Sequence, residues 1–413
     1  MPSACRCCGA AAVARCLDLG MSPIANAFLR ADQLGDDEFT FPLGFGFCEQ
    51  CHMAQLVHVV PRERLFHEHY AYYSSTSRIM AAHFGHFARE ITARFLGEPG
   101  QLVVEVGSND GILLEAFDRN RVRVLGVEPS SNVAKVAQDK GLDTVVAFFD
   151  EAVARAVVNR NGKASVLVGA NVVCHIADLD GLFRAADVVL DDAGVFVFED
   201  PSVAAMLAQN AYDQIYDEHV YYFSVTALEG VAARHGFVLF DVQPQPTHGG
   251  SNRVFMAKAG NARAAIQERA AAALAAERAM GLNQVGTYRQ FARRVEKPKM
   301  ALTALLGKLK ASGKRIVGYG ASSKGNVVLN YCGIGAETLD YIADSTPSKQ
   351  GLYSPGMHLP VVAPSVFAED CPDYALLLAW NHAGEIMGKE SQYRDKGGRF
   401  ITHIPEVRIL EWA

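Results

Sequence analysis

The stretch QIYDEHVYYFS, residues 214–224, places an acid pair, a histidine and three tyrosines within eleven residues. A strand that only packs has no need of Tyr216, Asp217, Glu218 and His219 side by side. Those residue types suit proton abstraction. An unperturbed imidazole titrates near neutrality, so His219 is the candidate general base. Tyr216 offers an O–H to an oxygen on which charge develops, and Glu218 can orient the imidazole or bind a substrate group. In an extended strand Tyr216 and Glu218 would share one face and His219 the other. For all three to act on one molecule, the segment must be a turn or an irregular stretch. Asp217 reads as structural, and Tyr221, Tyr222 and Phe223 read as core.

A second set of reactive residues lies at the start of the chain. Six of the nine cysteines fall within the first 51 residues: Cys5, Cys7, Cys8, Cys16, Cys48 and Cys51. CRCC and CEQC each contain a C-x-x-C turn that aims two thiolates at one point. Together Cys5, Cys8, Cys48 and Cys51 make the closed S4 set that structural zinc prefers. Cys7 is an alternative to Cys5 or Cys8, while Cys16 and His52 read as spectators. Few aliphatic runs precede residue 60, so the metal would stand in for a missing core.

The elements that must position these groups are read next. LVVEVGSNDGILLEAF, residues 102–117, is a buried parallel strand, a glycine turn and a helix start. Gly107 and Gly111 let the backbone approach a ligand, Ser108 lies between them, and Asn109 tolerates a positive φ. Glu128 ends the next strand 21 residues after Gly107, the place from which an acid holds a ribose diol. A third strand region ends at VAFFD, whose Phe149 is a further cofactor contact. A fourth, SVLVGANVVCHI, ends with Asn171 and His175, and GVFVFEDPS is a fifth. This order serves either NAD or S-adenosylmethionine (SAM). Glu105 just before the turn and the missing G-x-G-x-x-G spacing favour SAM.

GYGASSKGN, residues 318–326, repeats the strand–glycine turn–helix plan, followed by a strand that ends at Asp344. By itself it is a degenerate dinucleotide loop, for which NAD is the obvious ligand. The Ala-rich segment before it reads as helices that bridge two domains, with Pro298 at a helix start or break.

The whole chain resembles the nucleotide-sugar C-methyltransferases of deoxysugar biosynthesis, in particular the sugar C-3 methyltransferases. CRCCG, CEQC, YAYYSSTS, EVGSNDG, GVEPSS, CHI, FEDP, QIYDEHVYYFS, HGGSNRVF, GYGASSKGN, SKQG, AWNHAGEI and HIPEVRIL carry the resemblance in order from end to end. It implies an α/β protein in three parts. A zinc-binding module takes residues 1–70, a Rossmann-like SAM-binding methyltransferase domain 71–287, and a second Rossmann-like domain that helps hold the nucleotide sugar 288–413. It implies methyl transfer from SAM to a carbon of a dTDP-linked 4-keto-deoxysugar, most simply C-3 and with or without an amine there, by proton removal next to the ketone. The full Tyr-Asp-Glu-His pattern stands at 216–219. Tyr70 matches the first tyrosine of the segment that lines the sugar pocket, with Ser74 close behind. His175 would lie beside the methyl group. Ser322, Ser323 and Lys324 suit a pyrophosphate, with backbone N–H groups, hydroxyls and one cation. His248, with Ser251 and Arg253, would close the sugar pocket, and Asn381 and His382 of AWNHAGEI would touch the sugar or the base.

The chain has 413 residues, half of them hydrophobic, and a net charge of −6. Its length calls for two or three cores. The charge argues against nucleic acid or an anionic membrane as partner. No apolar run approaches the roughly 20 residues of a membrane span. The N-terminus has neither the basic nor the apolar region of a signal peptide, so a cytosolic protein is expected. A monomer is the simplest assembly. Two rival functions remain at this level: an NAD-dependent nucleotide-sugar oxidoreductase or epimerase, and a non-enzymatic zinc-module binding protein.

Overall fold

The computed structural model describes residues 4–11, 13–68, 70–76 and 78–412. His69 and Ser77 of the tyrosine- and serine-rich linker lie outside the described residues.

The central sheet has seven strands: β1 (Leu102–Val106), β2 (Arg123–Val127), β3 (Thr144–Val145), β4 (Ala164–Ala170), β5 (Leu190–Pro201), β6 (Phe237–Gln245) and β7 (Ser251–Lys258). Their spatial order is β6-β7-β5-β4-β1-β2-β3. The pairs from β5 to β3 are parallel, and β7 runs antiparallel to both β5 and β6. Four of the five strand regions read from the sequence fall in this parallel core, while the third strand is only Thr144–Val145 and ends before VAFFD, which is loop. Strand order reverses between β1 and β4, so the loops that leave these two strands open a crevice at their carboxyl ends. That reversal brings Gly107 and Asn171, distant in sequence, to adjacent strand ends.

The N-terminal part is a four-stranded antiparallel sheet of Ala14–Pro23, Thr40–Phe47, Ala54–Leu56 and Tyr221–Tyr222. Its last strand comes from the QIYDEHVYYFS stretch, so this module is not closed by its own residues. The C-terminal sheet has six strands, ordered Val361–Val362, Ile342–Ala343, Ile316–Tyr319, Tyr374–Leu377, Arg399–Thr402 and Arg408–Ile409. All its pairings are parallel except the last.

A helix over Val285–Ala311 joins the central and C-terminal parts. Pro298, expected to start or break a helix, lies buried inside it. A proline there removes the partner of the carbonyl four residues earlier. That carbonyl, Arg294 O, accepts instead from Asn210 Nδ2 at 3.4 Å, so the helix continues across the proline. It ends at Ser312, with Gly313 at φ +74 as the residue after the cap.

The hydrophobic cores do not follow the three parts. Cys5, Cys7 and Cys48 pack into the core of the central sheet. Phe45 and Phe47 of the N-terminal sheet share a core with Tyr288, Ile316 and Leu376 of the C-terminal part. Among the described residues no helix is long and apolar enough to cross a membrane.

Candidate active site

The reactive part of the stretch, Tyr216–His219, is not a strand. Tyr212–Gln214 form a 3-10 turn, and His219 N donates to Tyr216 O at 3.0 Å in a second turn. Curling the chain puts Tyr216 and His219 on the same side, with ring centroids 4.2 Å apart. Tyr216 Oη and His219 Nε2 are 2.8 Å apart, and His219 Nδ1 is 3.0 Å from Gln214 O. A carbonyl can only accept, so Nδ1 carries the ring proton and Nε2 presents a lone pair to the tyrosine O–H. Burial, then the nearby His175 and Lys324, press the His219 pKa well below the ordinary histidine value. The ring is therefore neutral at physiological pH, as a base must be.

His175 stacks on His219 with centroids 5.3 Å apart, and Phe66 stacks on the other side of His175 at 5.7 Å. Burial lowers the His175 pKa to about 4, and its Nε2 has no hydrogen-bond partner. Cys174, His175 and His219 can bring ligand atoms within 4.8 Å of one another. Both nitrogens of His219 are already engaged, by Tyr216 and Gln214, so this trio does not read as a second metal centre.

Glu218 faces a different set. Its Oε1 accepts from Asn26 Nδ2 at 2.7 Å and its Oε2 from Tyr70 O–H at 3.2 Å. Burial raises its pKa, opposed by these two donors and by the charge of Lys349. Asp217 accepts from the backbone N of Ala25 at 2.9 Å, which fixes the loop that carries Asn26. Ala25 O in turn accepts from Asn326 Nδ2 of the C-terminal part at 2.7 Å. All three parts of the chain thus meet at residues 25–26. The sequence reading missed Asn26 and the buried Lys349. Lys349 lies in SKQG, a segment that carried the resemblance, but Asn26 has no local signal because its role exists only through a contact 192 residues away.

The crevice of the central sheet forms the neighbouring site. Gly107 has φ +63, and a Cβ there would stand 2.4 Å from Val172, in the loop that leaves β4. Gly111 has φ +80, and a Cβ there would meet Leu142 at 2.3 Å. Asn109 and Asn171 also adopt positive φ, 48° and 53°. Glu128 accepts from Asn109 N at 2.9 Å and Ser130 N at 2.8 Å. Glu105 is buried with Oε2 unpartnered, and Asn171 Oδ1 and Ser108 Oγ are likewise buried without partners. Burial, with Glu128 and Asp110 adding repulsion, raises the Glu105 pKa well above the carboxylate range. An ammonium ligand placed there would relieve that penalty. Unsatisfied acceptors at a glycine turn fit SAM, which brings an amine and ribose hydroxyls. Phe149 is buried in the core beside this crevice.

The Tyr–Ser linker folds onto the glycine loop and ties the two sites together. Ser74 N donates to Asn109 Oδ1 at 3.0 Å, and Ser75 N and Oγ donate to Asp110 Oδ2. Asn132 Nδ2 donates to Tyr70 O at 2.9 Å. Tyr70 therefore bridges Glu218 and the helix Ser131–Asp139 that follows Glu128.

The remaining candidates sit where the central and C-terminal parts touch. Ser322 caps its own helix, accepting from Gly325 N at 3.1 Å, and Ser323 is the first residue of that helix. Lys324 is buried, donates to His248 O at 3.3 Å, and is brought down to about pKa 8 by burial. Burial, then Lys324, lower the His248 pKa to about 3. Asn381 and His382 belong to a short turn that also holds Trp380, whose ring lies where a Cβ on Gly249 would be, 2.5 Å away. Lys324, His248 and Trp380 are thus brought together, whereas Ser322 serves its helix. Ser251 Oγ donates to Thr247 O at 3.0 Å. Arg253 turns inward to Glu199 and Glu90, at 2.9 and 2.8 Å.

At the N-terminus Cys5, Cys8, Cys48 and Cys51 place their sulfurs within 4.8 Å of one another. Cys5–Cys51 is 3.6 Å and Cys8–Cys48 is 3.7 Å. A tetrahedron with Zn–S bonds of about 2.3 Å has edges of about 3.8 Å, and these two S–S distances match it, so the four cysteines fit a zinc ion. Cys7 lies outside this group of four, and Arg234 Nη2 donates to its O at 2.6 Å and its Sγ at 3.4 Å. Cys16 Sγ donates to Ala14 O at 3.3 Å and takes no part.

Three family profiles match the chain in order: "Putative zinc binding domain" over residues 5–66, "Methyltransferase domain" over 80–242 and "C-methyltransferase C-terminal domain" over 246–405. The C-methyltransferase NovU of Streptomyces niveus is 36% identical over 406 residues, which is 98% of this chain and 96% of NovU. A ubiquinone biosynthesis O-methyltransferase of Azorhizobium caulinodans is 24% identical over 120 residues, 29% of this chain and 46% of that one. The SAM-bound magnesium protoporphyrin IX methyltransferase of Synechocystis PCC 6803 covers 44% of this chain and 81% of its own at 14% identity, with a TM-score of 0.33, too loose a likeness to carry an argument. The full-length match and the three profiles in order place the chain in the family of SAM-dependent C-methyltransferases with a zinc-binding N-terminal module, to which it belongs.

Proposed function

We propose that this C-methyltransferase acts on a dTDP-linked 4-keto-deoxysugar, at C-3 next to the ketone, with the sugar pocket formed around Tyr70, Asn26, Glu218 and Tyr216. The observation that carries the reading is the neutral His219 with its Nε2 lone pair held at 2.8 Å from the Tyr216 hydroxyl. Carbon is a poor nucleophile until it loses a proton. When Tyr216 turns its O–H toward the keto oxygen, Nε2 is free to take the α-hydrogen. The C–H bond breaks, the proton goes to Nε2, and its electron pair becomes the C=C bond of an enolate. The enolate oxygen accepts from Tyr216, as in an oxyanion hole. SAM, when bound, supplies an electrophilic methyl group on a positively charged sulfur. Glu105, the Gly107–Gly111 turn, Glu128 and Asn171 would hold it on the β1–β4 side of the pocket. Glu218 and Tyr70 bind the sugar substituents, and His175 keeps the floor of the pocket dry. Lys324, with His248, Asn381 and His382, faces the nucleotide end.

The test is incubation with SAM and a panel of dTDP-4-keto sugars with and without a 3-amino group. The expected result is a mass gain of one methyl group, which NMR locates on C-3. A methyl group on oxygen or nitrogen, or on no sugar of the panel, overturns the reading.

A further inference from the structure

The turn that holds the base is itself held by the C-terminal part. Gln214, whose carbonyl fixes the proton of His219 on Nδ1, is the last residue of the turn Tyr212–Gln214, which Ile215 N closes on Tyr212 O at 3.0 Å. Within that turn Asp213 is fully buried, and its Oδ2 accepts from Trp380 Nε1 at 2.6 Å and from His403 Nε2 at 3.2 Å. His403 is fully buried too, and a carboxylate can only accept, so its proton sits on Nε2. Tyr212 is gripped from the other side, with its hydroxyl 3.8 Å from Cys332 Sγ and its ring edge-on to Tyr331. The buried Lys324 also feels the charge of Asp213. AWNHAGEI supplies Trp380 and HIPEVRIL supplies His403, two residues with no part in the chemistry so far. A buried carboxylate with two N–H donors from one domain and a peptide link to the base's own anchor in another is a rigid connection. A base that is even slightly misaimed loses much of its effect.

We propose that Asp213, Trp380 and His403 are positioning residues through which the C-terminal part sets the tautomer and aim of His219; the inference rests on His219 being the base. The relay runs from the Trp380 indole and the His403 imidazole to the Asp213 carboxylate, then through one peptide unit to Gln214 O and the His219 Nδ1 proton. Breaking it lets the Gln214 carbonyl tilt, and His219 then populates the tautomer with its proton on Nε2, which cannot accept the sugar proton.

The test compares the full-length, zinc-loaded W380F, D213N and H219N variants with wild type, each checked for zinc content and thermal transition. ¹⁵N-histidine NMR reads the His219 tautomer, assigned by its loss in H219N. Exchange of the sugar α-hydrogen in D₂O with S-adenosylhomocysteine bound reads proton removal. W380F and D213N are expected to give a mixed His219 tautomer and exchange and kcat lowered about tenfold, with KM for the nucleotide sugar within about twofold. A wild-type tautomer in both variants overturns the relay, whether kcat falls or not. Exchange that survives in H219N overturns the base reading and the relay with it. Exchange lost in H219N but at the wild-type rate in W380F and D213N overturns the relay alone.

Discussion

At the scale of single residues the site depends on burial. His219 and His175 are both kept neutral by removal from water, His175 with a pKa of about 4. A base acts in its unprotonated form, so lowering its pKa extends activity toward acid. The acid limb of kcat/KM is therefore expected below pH 6.5, and a pH–rate profile that breaks at or above 6.5 would assign the limb to another group. His219→Asn removes the lone pair and should lower kcat by about 10²–10⁴-fold, the usual weight of a positioned base. Tyr70→Phe deletes one of two donors to a buried carboxylate whose pKa burial already raises. A hydrogen bond to such a charged group is worth about 1.5–3 kcal/mol, so kcat/KM should fall at least tenfold while SAM affinity, read by calorimetry, stays unchanged. His219 was legible from its type and its neighbours in sequence, whereas Tyr70 and His175 were named through the resemblance. Asn26 was not legible, because an asparagine in a loop looks like any other until Glu218 is brought to it.

At the scale of elements, two short pieces decide whether the site exists. Gly107 is one: its φ of +63 and the Val172 methyl 2.4 Å from a would-be Cβ both exclude a side chain. Gly107→Ala should weaken SAM binding at least tenfold by calorimetry. Adding Val172→Ala should recover part of that loss, since it restores space but not the backbone preference. The other is the two-residue strand Tyr221–Tyr222, which begins two residues after His219 and closes the N-terminal sheet. Through it the zinc site and His219 share a frame. Cys48→Ser should therefore cost both zinc, measured as metal per chain, and methyl transfer. Retained activity in a zinc-free Cys48→Ser protein would show that the strand stands without the module. The strand–turn–helix plan at Gly107 could be read in advance from its apolar run and glycines. The turn at 216–219 could be required only on the condition that its side chains act on one molecule, because YDEHVYY has the composition of a strand. Contacts with other parts of the chain, those of Asp213, Asp217, Glu218 and Tyr222 among them, favour the curled form.

At the scale of the whole molecule, the cores ignore the boundaries between the three parts. Zinc cysteines pack into the central core, and aromatic residues of the N-terminal sheet pack with the C-terminal one. Calorimetry should therefore show one cooperative unfolding transition that a chelator shifts as a unit, and separate endotherms for the three parts would contradict this. The amino-acid sequence by itself determined the local plan: four cysteines at zinc spacing, alternating strands and helices, two glycine turns, and the residue types that can move a proton. Spacing and hydrophobic pattern are short-range, and they suffice wherever a group and its partners lie within one element. The tertiary structure alone decided which groups face one another. The reversal of strand order set the Gly107 turn beside Asn171, a buried turn aimed His219 at Tyr216, and the meeting of three parts at Ala25–Asn26 made the Glu218 pocket. Those pairings span up to 301 residues, and they form because burying an uncompensated carboxylate or amide is so costly that each must find its partner wherever the chain has put it.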